Sequence, residues 1–385
     1  MVLESWSRFR FVFLNWVSEL RIQRTNSNCP YAELSDESFW RRSVSDIDLQ
    51  KMNPMANVAF ELTNEDVIAS AGSCFAQHIS RYLKNNGYSF LVTEPRHQFV
   101  PSSVATEYNY EIYPARFGNI YTSRQLLQLI KRAFGEFQPS VEPYQNNGRW
   151  LDPFRPFVQP SGFVSVEDLQ RDQKHHLASV RKMFLELDVF IFTLGLTECW
   201  ESVEDGAILP ICPGCGAGEY DPERYRFKNL TITEVIQDMN EFVEILRRVN
   251  PTSKLILTVS PVPLIATNSG DHVLHATVYS KSVLRVAAQE LRSRYPFVDY
   301  FPSFEIITAD ATRGKYFDKD LRSILETGVN HVMRCFFKSY MGLELGGETT
   351  SDTLEKTDGD SQYNKLSELI MEVICDEEIL DESIE

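Results

Sequence analysis

The chain has no face rich in lysine and arginine: its 385 residues hold 38 Lys and Arg against 54 Asp and Glu, a formal charge of -16. Gly346 to Glu385 carries thirteen acidic residues against Lys356 and Lys365, so this tail supplies -11 of that charge and the body -5 by difference. A mildly acidic body argues against nucleic acid as the main partner. Long apolar runs are also missing. The opening MVLESWSRFRFVFLNWVSEL is broken by charges and has no small-residue cleavage site, so neither a signal peptide nor a membrane span is expected, and its aromatic side is expected to pack on the body or on a partner chain. The seven cysteines (29, 74, 199, 212, 215, 335, 375) are odd in number and irregularly spread, which excludes a disulfide framework and points to a reduced, cytoplasmic setting. Cys212-Pro-Gly-Cys215 stands without a second pair or a nearby histidine, so two free thiols on a turn are expected there and no metal. No internal repeat is found.

What is present is 43% hydrophobic and 12% aromatic residues, enough to bury a sizeable core. Strands are expected at Val67 to Ala71, Tyr88 to Val92, VFIFTL, Leu255 to Val259 and Val298 to Phe301. Helices are expected over Phe75 to Asn86, after Thr122 or Ser123, and over Val166 to Leu187, Thr231 to Val249, Tyr279 to Arg294 and Gly328 to Tyr340. Connections too long for hairpins imply right-handed βαβ units around a parallel sheet, with VFIFTL buried on both faces. Residues 135–165, with the string DPFRPF, are expected to form an irregular insertion near the site. The chain divides into an N-terminal helix and link (1–28), an α/β domain (29–345) and an acidic tail (346–385). In the tail GGETTSDTLEKTDGDS is a linker by composition, and KLSELIMEVICDEEIL is an amphipathic helix that folds back or binds a protein partner.

Ligands on a parallel sheet bind beyond the C-terminal ends of its strands. Four such ends carry unusual turns, AGSCFA, TLGLTECW, TVSPVP and YFPSFE, and all four are expected on one rim. In the first, the strand stops at Gly72, and Ser73 and Cys74 open a helix whose free N–H groups and dipole favour a thiolate or an oxyanion. The same residues would equally serve as a buried cysteine behind the strand with Ser73 as the helix cap.

Taken together these strings resemble the family named after its GSCFA motif, itself similar to the SGNH/GDSL hydrolase superfamily, over roughly Pro30 to Tyr340. The resemblance implies a three-layer, flavodoxin-like α/β fold. It places Gly72, Ser73 and Cys74 on the superfamily's Gly-Asp-Ser turn, making Cys74 the first candidate nucleophile and Ser73 the second. Gly118-Asn119 stands at the block whose glycine N–H helps hold the oxyanion. Gly195-Leu196-Thr197-Glu198 stands at the Gly-x-Asn-Asp block, with the Thr197 hydroxyl in place of an amide and Glu198 able to orient a neighbour.

One departure matters. The superfamily's Asp-x-x-His falls on Asp320-Leu321-Arg322-Ser323, which has no histidine and puts an ordinary Ser-His-Asp triad in doubt. Candidate bases are then His272 beside the SPVP strand end, where His275 also lies, then His331, then His78 one turn beyond Cys74, with Glu305 to orient the base. Lys281 and Arg285 would hold a phosphate or carboxylate, while His175 and His176 are expected to be exposed. The implied function is a cytoplasmic ester hydrolase or acyltransferase on a small or saccharide acyl substrate, with no cofactor beyond a CoA-type acyl donor. The alternative is a non-catalytic binding protein on the same fold.

Overall fold

The run VFIFTL is buried at every residue because it is the second of four parallel strands and is covered on both faces. The computed structural model describes residues 29–343. The expected N-terminal helix and the acidic tail lie outside the described residues. Residues 29–52 form short turns of their own, at Asp36–Ser38, Arg41–Ser45 and Leu49–Lys51.

From Asn53 onward the first elements are β1 (Ile68–Gly72), α1 (Phe75–Asn85), α2 (Ser123–Phe134) and α3 (Val166–Glu186). Next come β2 (Val189–Leu194), β3 (Glu198–Ser202), β4 (Ile208–Leu209), β5 (Tyr225–Asn229) and α4 (Ile232–Val249). The last are β6 (Lys254–Val259), α5 (Val273–Arg294), β7 (Val298–Tyr300), α6 (Ser303–Thr308) and α7 (Glu326–Met341). A short helix, Ser102–Glu107, precedes α2, and a hairpin, Tyr144–Asn146 with Arg149–Leu151, lies inside the expected insertion.

The main sheet runs β1-β2-β6-β7, all parallel, in register from Ile68 opposite Val189 to Gly72 opposite Thr193. Helices α2 to α5 pack in succession on one another, and α1, α6 and α7 form the second helical group. This is the expected three-layer α/β arrangement. The helix starts follow their caps: Thr122 Oγ1 accepts from Gln125 N at 3.1 Å, and Thr231 with Glu234 forms a reciprocal capping box. Among the described residues no helix is long and apolar enough to cross a membrane.

Two expectations are corrected, and one sheet was not expected. Tyr88 to Val92 is not a strand but a single parallel bridge, Phe90 beside Ile68. The chain leaves the sheet there because the N–H groups of Thr93 and Glu94 both turn to the Pro114 carbonyl, at 2.7 and 3.2 Å. With that bridge the order is nonetheless flavodoxin-like. Helix α5 starts at Val273 rather than Tyr279, because His272 caps it through Nδ1, which accepts from Leu274 N at 3.1 Å. Leu274 and Val278 are 65% and 56% exposed, so the first turns carry no apolar stripe to betray them. The unexpected sheet is β3, β4 and β5, antiparallel and separate, following β2, which short, partly polar strings did not announce.

Candidate functional site

The strand end at Gly72 delivers Ser73 and Cys74 to the start of α1, as expected, but under cover: they are 3% and 6% exposed. Cys74 is the residue before the first helical position, and its side chain makes no capping bond. The Ser73 hydroxyl oxygen is buried without a hydrogen-bond partner. Ile120 N donates to Gly72 O at 2.8 Å, which pins the Gly118-Asn119 loop beside the turn. Asn119 Oδ1 accepts from Tyr113 OH at 2.8 Å and Gln77 Nε2 at 3.1 Å. Gly195 presses on the turn from the other side, since a Cβ there would stand 3.1 Å from Ser73 Cβ and 3.0 Å from Tyr121 O. The structure therefore gathers Gly72, Ser73, Cys74, Asn119 and Gly195.

The other candidates are engaged elsewhere. Thr197 Oγ1 donates to Asn229 Oδ1 at 2.7 Å on β5, while its N–H donates to Ser280 Oγ at 2.9 Å on α5. Lys281 is buried and donates through Nζ to Gly195 O at 2.6 Å, so it braces the chain just after β2. Arg285 is tied to Glu305, Nε to Oε1 at 2.6 Å, and stacks over the Tyr300 ring; Glu305 Oε2 accepts from Tyr300 OH at 2.7 Å. Glu305 thus orients an arginine and a tyrosine, not a histidine. His272 is an exposed helix cap, and His331 is buried with Nδ1 2.7 Å from Tyr316 OH. His78 stands edge-on to Phe75, and burial, helped by Arg81, lowers its pKa to about 4, leaving it neutral. The Asp320–Ser323 turn survives without a base: Ser323 Oγ donates to Asp320 Oδ2 at 2.5 Å, and Arg322 Nε donates to Pro263 O at 3.3 Å beside the SPVP strand end.

Next to the turn, a cavity of about 420 Å³ opens on the rim. Its walls include Tyr121 and Leu196, and these join it to the turn, because Gly195 N and Leu196 N both donate to Tyr121 O, at 3.0 and 3.1 Å. Trp200 and Phe227 from the small sheet, Tyr220 and Leu264 make most of the lining apolar. Glu198 is the carboxyl in this wall. Burial raises its pKa against the opposing hydrogen bonds from the Thr267 hydroxyl, at 2.6 Å, and the Asn268 N–H. Of these residues the sequence pointed only to Glu198. The aromatic wall needed the unforeseen sheet. No histidine lines this pocket, and among the described residues no cluster of His, Cys, Asp and Glu is arranged to hold a metal.

Residues 67–336 match the GSCFA family profile. The chain belongs to the GSCFA family. No curated protein matches it. A solved structure described as a candidate platelet activating factor from Streptococcus pneumonia is similar at 15% identity and a TM-score of 0.26, over 45% of this chain and 66% of that chain.

Behind the Gly118-Asn119 loop of this GSCFA chain lies a buried charge cluster that the sequence did not reveal. Arg155, from the DPFRPF string, donates through Nε to Asp152 Oδ2 at 2.9 Å and through Nη2 to Asp172 Oδ2 at 2.7 Å. Arg116 joins it, donating from its backbone N to Glu94 Oε2 at 2.7 Å and from Nη1 to Asp172 Oδ1 at 3.2 Å. The expectation that His175 and His176 are both exposed holds for His175 alone, because one face of α3 covers the cluster: His176 is buried, with Nδ1 2.8 Å from Glu94 Oε2. Burial, then the Arg155 charge, lower His176 to about 4 despite Glu94. For Glu94 burial pulls the other way, but the bond and charge of His176, with Arg155 and the Arg116 N–H, bring it to about 2.

A pH dependence follows, with a definite sign. Between 6.5, the ordinary histidine value, and about 4, the unfolded chain takes up a proton at His176 that the folded chain does not. Stability therefore falls as pH falls through that window, by on the order of 3 kcal/mol for this one buried group. The depressed Glu94 carries the loss further: its contribution is present above 4.5 and disappears as pH drops toward about 2. Thermal melts from pH 7.5 down to 4 should show a steady loss that flattens in His176→Gln. A wild-type melt unchanged across that range would refute a neutral buried His176.

Proposed function

We propose that this chain recognises an acylated small molecule, with the acyl group in the rim pocket, and that the site is built to hold the group rather than to hydrolyse it. The observation that carries this reading is the pocket itself: about 420 Å³ is a small-ligand volume, the walls are largely aromatic and aliphatic, and Glu198 is a half-buried carboxyl. Held by the Thr267 hydroxyl, Glu198 puts a fixed polar group in an otherwise apolar wall, where it can orient a polar part of the ligand. Holding is favoured over turnover because Ser323 occupies the position where the resemblance places the base, and His272, His331 and His78 are respectively a helix cap, a tyrosine partner and a half-buried neutral ring.

A second reading, an ester hydrolase or acyltransferase, is favoured by Cys74 at the start of α1, where helix N–H groups stabilise a thiolate. In it Cys74 Sγ bonds to the acyl carbon as the alkoxide leaves, and water or a saccharide hydroxyl then takes the acyl group. Lys281 and Arg285 do not support the CoA-type donor, because both are spent on protein partners.

Octanoate and p-nitrophenyl octanoate, titrated against tryptophan fluorescence, should saturate. Trp200→Ala should weaken binding about tenfold, the equivalent of about 1.4 kcal/mol of lost ring contact. Failure of either probe to bind would sink the acyl reading. Incubation with p-nitrophenyl acetate separates the two readings: a stable acetyl adduct that vanishes in Cys74→Ala and survives in Ser73→Ala would establish the second.

A further inference from the structure

We infer that Cys212 and Cys215 are a dithiol that a small oxidant closes into an intramolecular disulfide on the wall of the rim pocket. The geometry comes from the Cys-Pro-Gly-Cys turn. Cys215 N donates to Cys212 O at 3.0 Å, and Gly214 N donates to Ala217 O at 2.8 Å, with Gly214 at φ +92. That left-handed backbone suits glycine and folds the two cysteines back on each other. The Cys212 thiol donates to Pro213 O at 3.4 Å, inside the same turn. Both cysteines are free, partly exposed and part of the pocket lining, whereas Cys74, Cys199 and Cys335 are buried. This pair thus combines access for a small reagent with a resolving thiol three residues away across a hydrogen-bonded turn.

The chemistry balances with a peroxide as the oxidant. One sulfur attacks a peroxide oxygen and becomes a sulfenic acid while the other oxygen leaves as water. The second thiol then displaces the sulfenic hydroxyl as a second water, and the S–S bond forms. Two electrons pass from the two sulfurs to the peroxide. Oxidised glutathione serves the same balance by two exchange steps that release two glutathione thiols. Burial, then the neighbouring thiol, pushes Cys212 up to about 12, so this thiol rests protonated at neutral pH and reacts slowly. Closure brings the sulfurs to about 2.05 Å and tightens the turn next to Pro210 and Ile211 of the same wall. The inference does not depend on which ligand the pocket takes.

The test uses the full-length chain, reduced and then exposed to hydrogen peroxide or oxidised glutathione. The expected product has lost about 2 Da, is restored by dithiothreitol, and maps to a peptide linking 212 to 215. The change should be absent in Cys212→Ser and Cys215→Ser and retained in Cys199→Ser. Trp200, in the same pocket, should lose fluorescence on closure, and the loss should disappear in Trp200→Phe. If a serine variant does not fold, iodoacetamide labelling of wild type reads the same event as protection of both cysteines after oxidation. A persistent single glutathione adduct, a sulfinic acid, a bridge to Cys199, or both thiols still labelling after treatment would each overturn the inference.

Discussion

Arg155→Ala is expected to remove about 3–5 kcal/mol of stability, because it takes the ion-pair partner from a fully buried carboxylate. Arg155 is 4% exposed, and Asp152, which it binds, is buried completely. Asp152 is held below the usual carboxylate range because the charges of Arg155 and Arg132, with the Phe154 N–H and Gln173, outweigh a burial that acts to raise it. Without Arg155, Asp152 loses its ion-pair partner and keeps only the more distant Arg132 charge with the Phe154 N–H and Gln173, and Asp172 loses its second arginine. Denaturant midpoints measure the effect, and a thermodynamic cycle separates charge from volume. Arg155→Met should cost nearly as much as alanine, while Arg155→Met with Asp152→Asn should recover a substantial part, since the stranded charge has gone. A loss below about 1 kcal/mol for Arg155→Ala would mean that water reaches Asp152, against the buried geometry.

Gly72→Ala should be at least as damaging, and it bears directly on the GSCFA turn. Gly72 lies at φ +147, and a Cβ there would meet Thr193 O at 2.5 Å and Thr193 Cβ at 2.6 Å. Thr193 is its register partner on the central strand, so neither side can yield without opening the sheet. The expected outcome is a loss of more than about 3 kcal/mol, from overpacking and backbone strain together, seen as little folded protein on expression or a collapsed thermal midpoint. Gly118→Ala isolates the strain. Gly118 also has positive φ, at +71, but nothing lies within 4 Å of its Cβ position, so its substitution should cost only about 1 kcal/mol. Equal costs at the two positions would show that close packing against β2 is not what requires Gly72.

The fold was largely legible because its signals are local. VFIFTL is apolar through its whole length, the helix caps at Thr122 and Thr231 precede apolar stripes, and long connections leave a parallel sheet as the economical solution. The GSCFA turn was legible for the same reason, as a strand, a glycine and a helix start in consecutive residues. Other features depend on residues far apart in the chain. Glu94, Arg116, Asp152, Arg155, Asp172 and His176 meet only when α3 and the 135–165 insertion close over the 113–119 loop, and no spacing along the chain records that meeting. The pocket joins Tyr121, Glu198, Trp200, Tyr220 and Thr267 in the same non-local way.

What the sequence determined by itself, then, is the α/β sheet, the common rim and the presence at 72–74 of a glycine with two small nucleophile-type side chains, since each follows from neighbours in the chain. The tertiary structure alone decided that the turn is covered, that Lys281, Arg285, Glu305 and Thr197 are spent on structural partners, and that the rim opens beside the turn as an apolar pocket with a carboxyl in its wall. The physical reason is burial: a polar side chain excluded from water takes whatever partner the packed neighbours offer, and that partner is fixed by the fold and not by the letters on either side.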